Sequence, residues 1–201
     1  MLSNRAAELL VDYTSPQSPQ VTEVRGSLLA SSLQTLRDRG LFERYLPQLP
    51  EAHRQQVLYC LAASWLPIDV AMAHYAACEA MQLSDAELEV LGNEVSKRIM
   101  GTFLATLVRS ARHVAVGTSI PLKQYPRLWE RLMIGGSCKV TMFGAKDARI
   151  ESFGVPMFRY RYFRTAYVGL VRGASLMFRS AAHTRVRRAN DEMLSVDLSW
   201  V

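Results

Sequence analysis

Apolar residues recur at helical spacing over the first two-thirds of the chain and at every second position after a double glycine, Gly135-Gly136. Val21 to Arg25 reads as a short extended piece. Leu28, Leu29, Leu33 and Leu36 then mark a helix face, and Gly40 is placed to end that helix as a C′ glycine. Leu46-Pro-Gln-Leu-Pro50 is a turn, followed by a helix through Val57, Leu58, Leu61 and Ala62. Trp65-Leu-Pro67 breaks it, and Pro67 suits the first position of a next helix carrying Val70, Ala73, His74, Ala77 and Met81. In Leu83-Ser-Asp-Ala-Glu-Leu88, Ser84 and Glu87 can each bond the other's backbone amide, with Leu83 and Leu88 as a hydrophobic staple. This signature predicts the start of a long helix through Leu91, Val95, Ile99, Phe103, Leu104 and Leu107 toward His113, ending near Gly117. A shorter helix around Pro121–Met133 puts Leu128, Trp129 and Leu132 on one side.

Beyond the double glycine, Cys138, Val140 and Met142 alternate with Lys139, Thr141 and Phe143. A turn at Gly144–Asp147 leads to a returning strand from Ala148 to Val155. Pro156 ends that hairpin, and Tyr160 to Ala182 is predicted as a helix. Its internal Gly169 and Gly173 cost about 1 kcal/mol each relative to alanine, which a close helix–sheet approach would offset. Thr184–Ala189 and Met193–Trp200 form a second strand pair. The fold class is α+β: an N-terminal helical bundle packed on a small antiparallel sheet, helices first and then β-β-α-β-β. Residues 1–20, which include Thr14-Ser-Pro-Gln-Ser-Pro19, read as a flexible lead-in. Residues 21–201 read as one domain of ligand-binding type.

An apolar fraction of 49% and a charged fraction of 21% in 201 residues suit such a packed domain. Apolar runs too short to span a bilayer, with no leader pattern, predict a cytoplasmic protein. Cys60, Cys78 and Cys138 form no CxxC pair and read as core thiols. GxSxG, GxGxxG and GxxxxGK[ST] are absent, no histidines stand at ligand spacing, and neither a catalytic nor a metal site is expected. His74, on an alanine-rich helix, reads as a hydrogen-bonded core histidine.

The net charge is +6, and it is uneven: from Arg149 to Arg188 nine arginines face one acid. Arg159, Arg161, Arg164, Arg172, Arg179, Arg185 and Arg187 are candidates for a basic patch. Phe158, Tyr160, Tyr162 and Phe163 interleave with the first of them, a composition able to grip phosphate and stack on bases. Nucleic-acid binding is therefore one alternative, against the polar face of an ordinary amphipathic helix.

The order β-β-α-β-β after several helices resembles the fold of haem–nitric-oxide-binding domains, vinyl-reductase-type ligand-binding domains and TRAPP vesicle-tethering subunits. Residue by residue the chain is similar to uncharacterised bacterial proteins of myxobacterial type. That likeness is carried by Val24-Arg-Gly-Ser27, Leu46-Pro-Gln-Leu-Pro50, Ser64-Trp-Leu-Pro67, Leu91-Gly92, Leu128-Trp-Glu-Arg131, Gly135-Gly136 and Tyr162-Phe-Arg164. The resemblance implies a non-enzymatic small-molecule-binding, sensory or interaction module, with a pocket between helices and sheet. Phe103, Leu107, Trp129, Met142, Phe163 and Tyr167 are the candidate lining. The partner implied is a hydrophobic small molecule or another protein, with a homodimer by analogy. No cofactor is expected from the residues themselves. Haem is the alternative that the resemblance raises, since its haem-binding relatives use a helix histidine and a Tyr-x-Ser-x-Arg motif. Here His113, Tyr160 and Arg164 would take those places, with Tyr162 where serine is expected. The last two strands contain no cysteine, which departs from the zinc or redox members of the group.

Overall fold

The structure, a computed structural model, describes residues 18–110, 122, 125–176 and 181–201, with nothing assigned to the side chains of 100 and 102–110. Strand β1 (Glu23–Arg25) runs straight into helix α1 (Gly26–Asp38), whose buried face carries Leu28, Leu29, Leu33 and Leu36. Gly40 follows at φ +66°, the left-handed conformation that an L side chain resists. A short helix α2 (Phe42–Tyr45) and a 3-10 turn at Leu46–Gln48 lead to α3 (Glu51–Leu58).

Helix α3 stops earlier than its apolar spacing suggests. It ends at Leu58, and Leu61, expected on its buried face, is 73% exposed. Trp65-Leu-Pro67 also does more than break a helix: it is strand β2 (Trp65–Pro67), antiparallel to β1 with Val24 opposite Leu66. Helix α4 (Ile68–Ala80) follows directly, so Pro67 precedes its first turn.

The long helix α5 (Asp85–Ser110) opens on the capping box. The Ser84 amide donates to Glu87 Oε2 at 2.8 Å, the Glu87 amide faces Ser84 Oγ at 3.4 Å, and Leu83 and Leu88 are both buried. Helix α6 (Tyr125–Leu132) buries Leu128 and Trp129, then passes into β3 (Met133–Ile134) on the other side of β1. The result is a small sheet of order β2-β1-β3, tying the first strand to segments about 40 and 110 residues downstream. Gly135 and Gly136, at φ +84° and +62°, then turn the chain beneath Gln20 and Val21.

The second sheet is the expected one. Strands β4 (Ser137–Met142), β5 (Asp147–Phe153), β6 (Ala182–Ala189) and β7 (Met193–Trp200) lie in the order β4-β5-β7-β6, all antiparallel. Helix α7 (Arg161–Leu176) is the crossover from β5 to β6 and packs on β6 and β7. The helical reading of this stretch overran, because Ala182 already belongs to β6. Ala148, Ile150, Leu194, Val196 and Leu198 are buried on the sheet's inner face. On its outer face Thr141, Arg149, Asp197 and Arg185 stand in register, and Arg149 Nε donates to Asp197 at 2.6 Å.

The glycines of α7 serve a different contact from the one their spacing suggested. A Cβ on Gly169 would lie 2.3 Å from the carbonyl oxygen of Glu89, and one on Gly173 would lie 2.4 Å from Asn93 Oδ1. Gly92 on α5 answers them: its Cβ would fall 1.8 Å from the carbonyl oxygen of Ala166. Missing side chains thus let two helices touch backbone to backbone, helix against helix. Residues 18–20, placed in the lead-in by sequence, are tied down: Ser18 Oγ meets Ser137 Oγ at 2.6 Å, and the carbonyl of Pro19 accepts from the Gly136 amide at 2.7 Å.

Candidate functional site

Helices α1, α4, α5, α6 and α7 converge on an apolar cavity of ≈ 50 Å³, with Tyr75 contributed by α4. Leu28 comes from α1, Leu91 and Val95 from α5, Leu128, Trp129 and Leu132 from α6, and Phe163, Ala166, Tyr167 and Leu170 from α7. Each is delivered by the helical spacing that buries one face of its element. None of the described residues lining the cavity carries a charge.

The hydroxyl residues Ser32, Tyr75, Tyr125, Tyr162 and Tyr167 are the polar side chains of its described lining, beside the Trp129 indole. Tyr125, at the start of α6, and Tyr167, mid-α7, share a hydrogen bond between their phenol oxygens, and Ser152 Oγ on β5 meets Tyr167 Oη at 2.8 Å. Burial pushes the Tyr167 phenol up to about 12 and Tyr125 well above its ordinary range, so both stay neutral in water near pH 7. Trp129 Nε1 donates to the Gly135 carbonyl at 3.3 Å, which orients the indole across the cavity wall.

Three lining residues belong to a packed aromatic cluster completed by Phe158 behind them: Tyr75–Phe163 with centroids 4.5 Å apart, Phe158–Phe163 at 5.4 Å and Phe158–Tyr167 at 5.3 Å. It adjoins a buried polar network. His74 Nδ1 meets Tyr45 Oη at 2.7 Å and His74 Nε2 meets Ser32 Oγ at 2.9 Å, with Cys78 Sγ 3.7 Å away. Desolvation lowers His74 to about 3, so the imidazole is neutral. His74 is thus the hydrogen-bonded core histidine that its surroundings in sequence suggested. Cys78 is buried, and burial raises its thiol far above the reactive range. Cys60 and Cys138 are half-buried instead of fully enclosed, and burial pushes the Cys138 thiol up to about 11.

Three of the six sequence-derived pocket residues, Trp129, Phe163 and Tyr167, come together in this cavity. Met142 is half-buried at the end of β4, opposite Ala148, and is not part of the lining. The side chains of Phe103 and Leu107, together with His113 and Arg179, lie outside the described residues. The remaining lining was missed for a plain reason: leucines and valines on four helices look like ordinary core, and their convergence is tertiary.

Much of the basic segment is used up locally. Arg161 donates to the Leu83 carbonyl at 3.0 Å and pairs with Asp85 at 2.7 Å, and Arg172 pairs with Glu89 at 2.8 Å. These contacts clamp α7 to the start of α5. Arg164 donates to the carbonyls of Phe158 and Arg159, closing the 3-10 turn at Pro156–Arg159. Arg159, Arg185 and Arg187 are exposed, the last two on β6.

No family model matches the chain, and no curated protein matches it. Solved structures do. An H-NOX protein from K. algicida, in its Fe(II) unliganded form, superposes with a TM-score of 0.63 at 9% identity, over 88% of this chain and 96% of that one. An oxygen-binding H-NOX domain related to soluble guanylate cyclases gives a TM-score of 0.61 at 11% identity, over 88% and 94%. A structure probing haem distortion in the H-NOX family gives 0.59 at 12% identity, over 88% and 94%. At these identities the likeness shows the fold: the chain has the α+β architecture of H-NOX domains, nearly end to end.

The described residues do not fit a haem. The cavity among the helices falls well short of the ~300–1,000 Å³ of ordinary small-molecule and cofactor sites, and α5 and α7 meet backbone to backbone at their glycines. His74 has both ring nitrogens committed, His53 sits on α3 beside Asp69, and His183 is exposed on β6. Tyr160 and Arg164 flank the start of α7, where Arg164 is spent on backbone carbonyls. Among the described residues no three His, Cys, Asp or Glu side chains gather as metal ligands, and no helix is long and apolar enough to cross a membrane.

Proposed function

We propose that this chain is a non-enzymatic, small-molecule-binding module of sensory type, and that its ligand site is the apolar cavity under α6. The observation that carries the reading is a cavity walled by five helices, with no charged side chain among its described lining residues and a tyrosine–tyrosine–serine hydroxyl chain adjoining one side. Apolar space with a few polar groups is the usual lining of a small-molecule site, and at ≈ 50 Å³ this one is smaller than most, so it takes only a small ligand in its present form.

The same geometry supplies a route from binding to output. Helix α6 is two turns long and continues without a loop into β3, an outer strand of the β2-β1-β3 sheet. A ligand larger than the present cavity must displace α6, and the displacement passes through Met133 to Val24 on β1. The ligand shifts the molecule toward the opened form by its difference in affinity for the two forms.

Native mass spectrometry of protein purified without refolding tests this. A co-purified small molecule is expected, lost in a Val95→Phe variant that fills the cavity. Its absence, together with no thermal upshift from any apolar compound, would remove the reading. Haem is the second reading, favoured by the solved structures of like fold, which concern haem proteins. A Soret band on reconstitution, abolished by His113→Ala, supports it; a colourless protein counts against it.

A further inference from the structure

We infer that the open edge of β6 docks an extended segment of a partner protein, with acidic and apolar residues in alternation, as a fifth strand of the second sheet. The site lies apart from the cavity and does not depend on it.

The backbone provides the template. Among the described residues β6 is the last strand on its side of the sheet, in the order β4-β5-β7-β6. The Val201 amide donates to the Ala181 carbonyl at 3.2 Å, and the register runs on from Ala182 opposite Trp200 to Val186 opposite Val196. Bonded and non-bonded pairs alternate along an antiparallel ladder. His183 and Arg185 therefore bond β7, while Ala182, Thr184 and Val186 turn their amides and carbonyls outward. Such a row of backbone groups is what an incoming peptide strand bonds. The bulge between Val186 and Arg188 ends the regular edge.

The side chains specify what fits, because directly opposed residues share a face of the sheet. One row crosses the helix-facing side as Val140, Ile150, Val196 and Val186. Ile150 and Val196 are buried, whereas Val186, at the end of the row, is 46% exposed. An apolar residue on a fifth strand would cover it. The adjacent row crosses the outer side as Thr141, Arg149, Asp197 and Arg185. Arg149 Nε donates to Asp197 at 2.6 Å, so the charges run plus, minus, plus, and the last, Arg185, is exposed. The next place in that row takes a carboxylate. Successive residues of one strand point to opposite faces, so acid and apolar must alternate in the segment that continues both rows.

Charge also separates the possible partners. Strand β6 carries Arg185, Arg187 and Arg188 and no acid. A second copy of β6 would set arginine against arginine, and like charges guard an edge against self-pairing. One sign of charge makes that guard selective, since an acidic strand passes it. A nucleic acid would find cations but little to stack on. The exposed aromatic among the sheet's described residues is Phe143, and the Arg149 guanidinium already lies over its ring at 4.9 Å.

The test is fluorescence polarisation of a labelled, end-blocked octapeptide, Glu-Val repeated four times, titrated with the full chain. Its comparators are the Lys-Val repeat, a block isomer with four Glu followed by four Val, and octauridylate. The alternating acidic peptide is expected to bind about ten-fold more tightly than the block isomer, and the Lys-Val repeat weakest. Arg185→Glu should weaken it about ten-fold. Arg159→Glu, the same charge change off the sheet, should leave it unchanged. Thr184→Pro removes an amide that β7 does not use, which an edge strand tolerates. It should keep the thermal midpoint and weaken binding about five-fold, so the idea stays testable should Arg185→Glu misfold. Equal affinity for the alternating and block peptides, or equal losses from Arg185→Glu and Arg159→Glu, would leave only a general charge effect and overturn the proposal. Tighter binding of octauridylate, or no saturable binding of the acidic repeat, overturns it as well.

Discussion

His74 is held neutral by complete burial between Tyr45 and Ser32, and its ring is lowered to about 3 from an ordinary value near 6.5. In the unfolded chain the same imidazole binds a proton as the pH falls through about 6.5. Between the two values the unfolded state therefore holds more protons, and stability falls with falling pH by up to about 1.4 kcal/mol per pH unit from this one group. Urea midpoints measured from pH 7 down to pH 4 should decline, and His74→Gln should flatten that decline while lowering stability at pH 7. An unchanged slope in the variant would contradict this assignment. The core role of His74 could be read from its alanine-rich helix, but its partners could not, because Ser32 and Tyr45 are 42 and 29 residues away in sequence. The Tyr125–Tyr167–Ser152 chain was illegible for the same reason.

At the scale of elements, the contact between α5 and α7 separates glycines that pack from glycines that merely weaken a helix. Gly92→Ala places a methyl group 1.8 Å from a backbone oxygen that cannot rotate away, so the helices must part. A loss of more than about 2 kcal/mol is expected, as for overpacked cores. Gly101, on the same helix, has nothing within 4 Å of the added carbon, and Gly101→Ala should raise stability by up to about 1 kcal/mol. Opposite signs for the two variants in thermal denaturation are the signature, and equal signs would refute the packing. Ser84→Ala should cost about 1 kcal/mol through loss of the cap on α5, measurable in the same way. Local chemistry made these features partly readable. The capping box spans four residues and the strand alternation six, so both appear in sequence. The identity of the surface meeting Gly169 and Gly173 depends on tertiary placement, and the expectation of a sheet proved to be a helix. Strand β2 was hidden because Trp65-Leu-Pro67 is too short to show a period and pairs only with distant β1.

For the whole molecule, the order of elements was enough to anticipate the α+β architecture, since a switch of hydrophobic period at Gly135-Gly136 divides helices from the four-stranded sheet. The three-stranded β2-β1-β3 sheet and the cavity were not visible, because both arise where segments far apart in sequence converge. The basic segment shows the converse problem. Nine arginines in one stretch look like a surface patch, yet Arg149, Arg161 and Arg172 neutralise acids at Asp197, Asp85 and Glu89. They act as clamps between elements more than as a field for a partner. A reading that depends on the patch is correspondingly weakened, and one that depends on the apolar space between α1, α4, α5, α6 and α7 gains.

That apolar space can be examined directly in a crystal of protein purified without refolding and then pressurised with xenon. Density for an organic molecule, or an anomalous xenon peak, is expected between Leu91, Val95, Trp129 and Tyr167. Those four side chains collapsed on one another, with no density among them, would contradict the account.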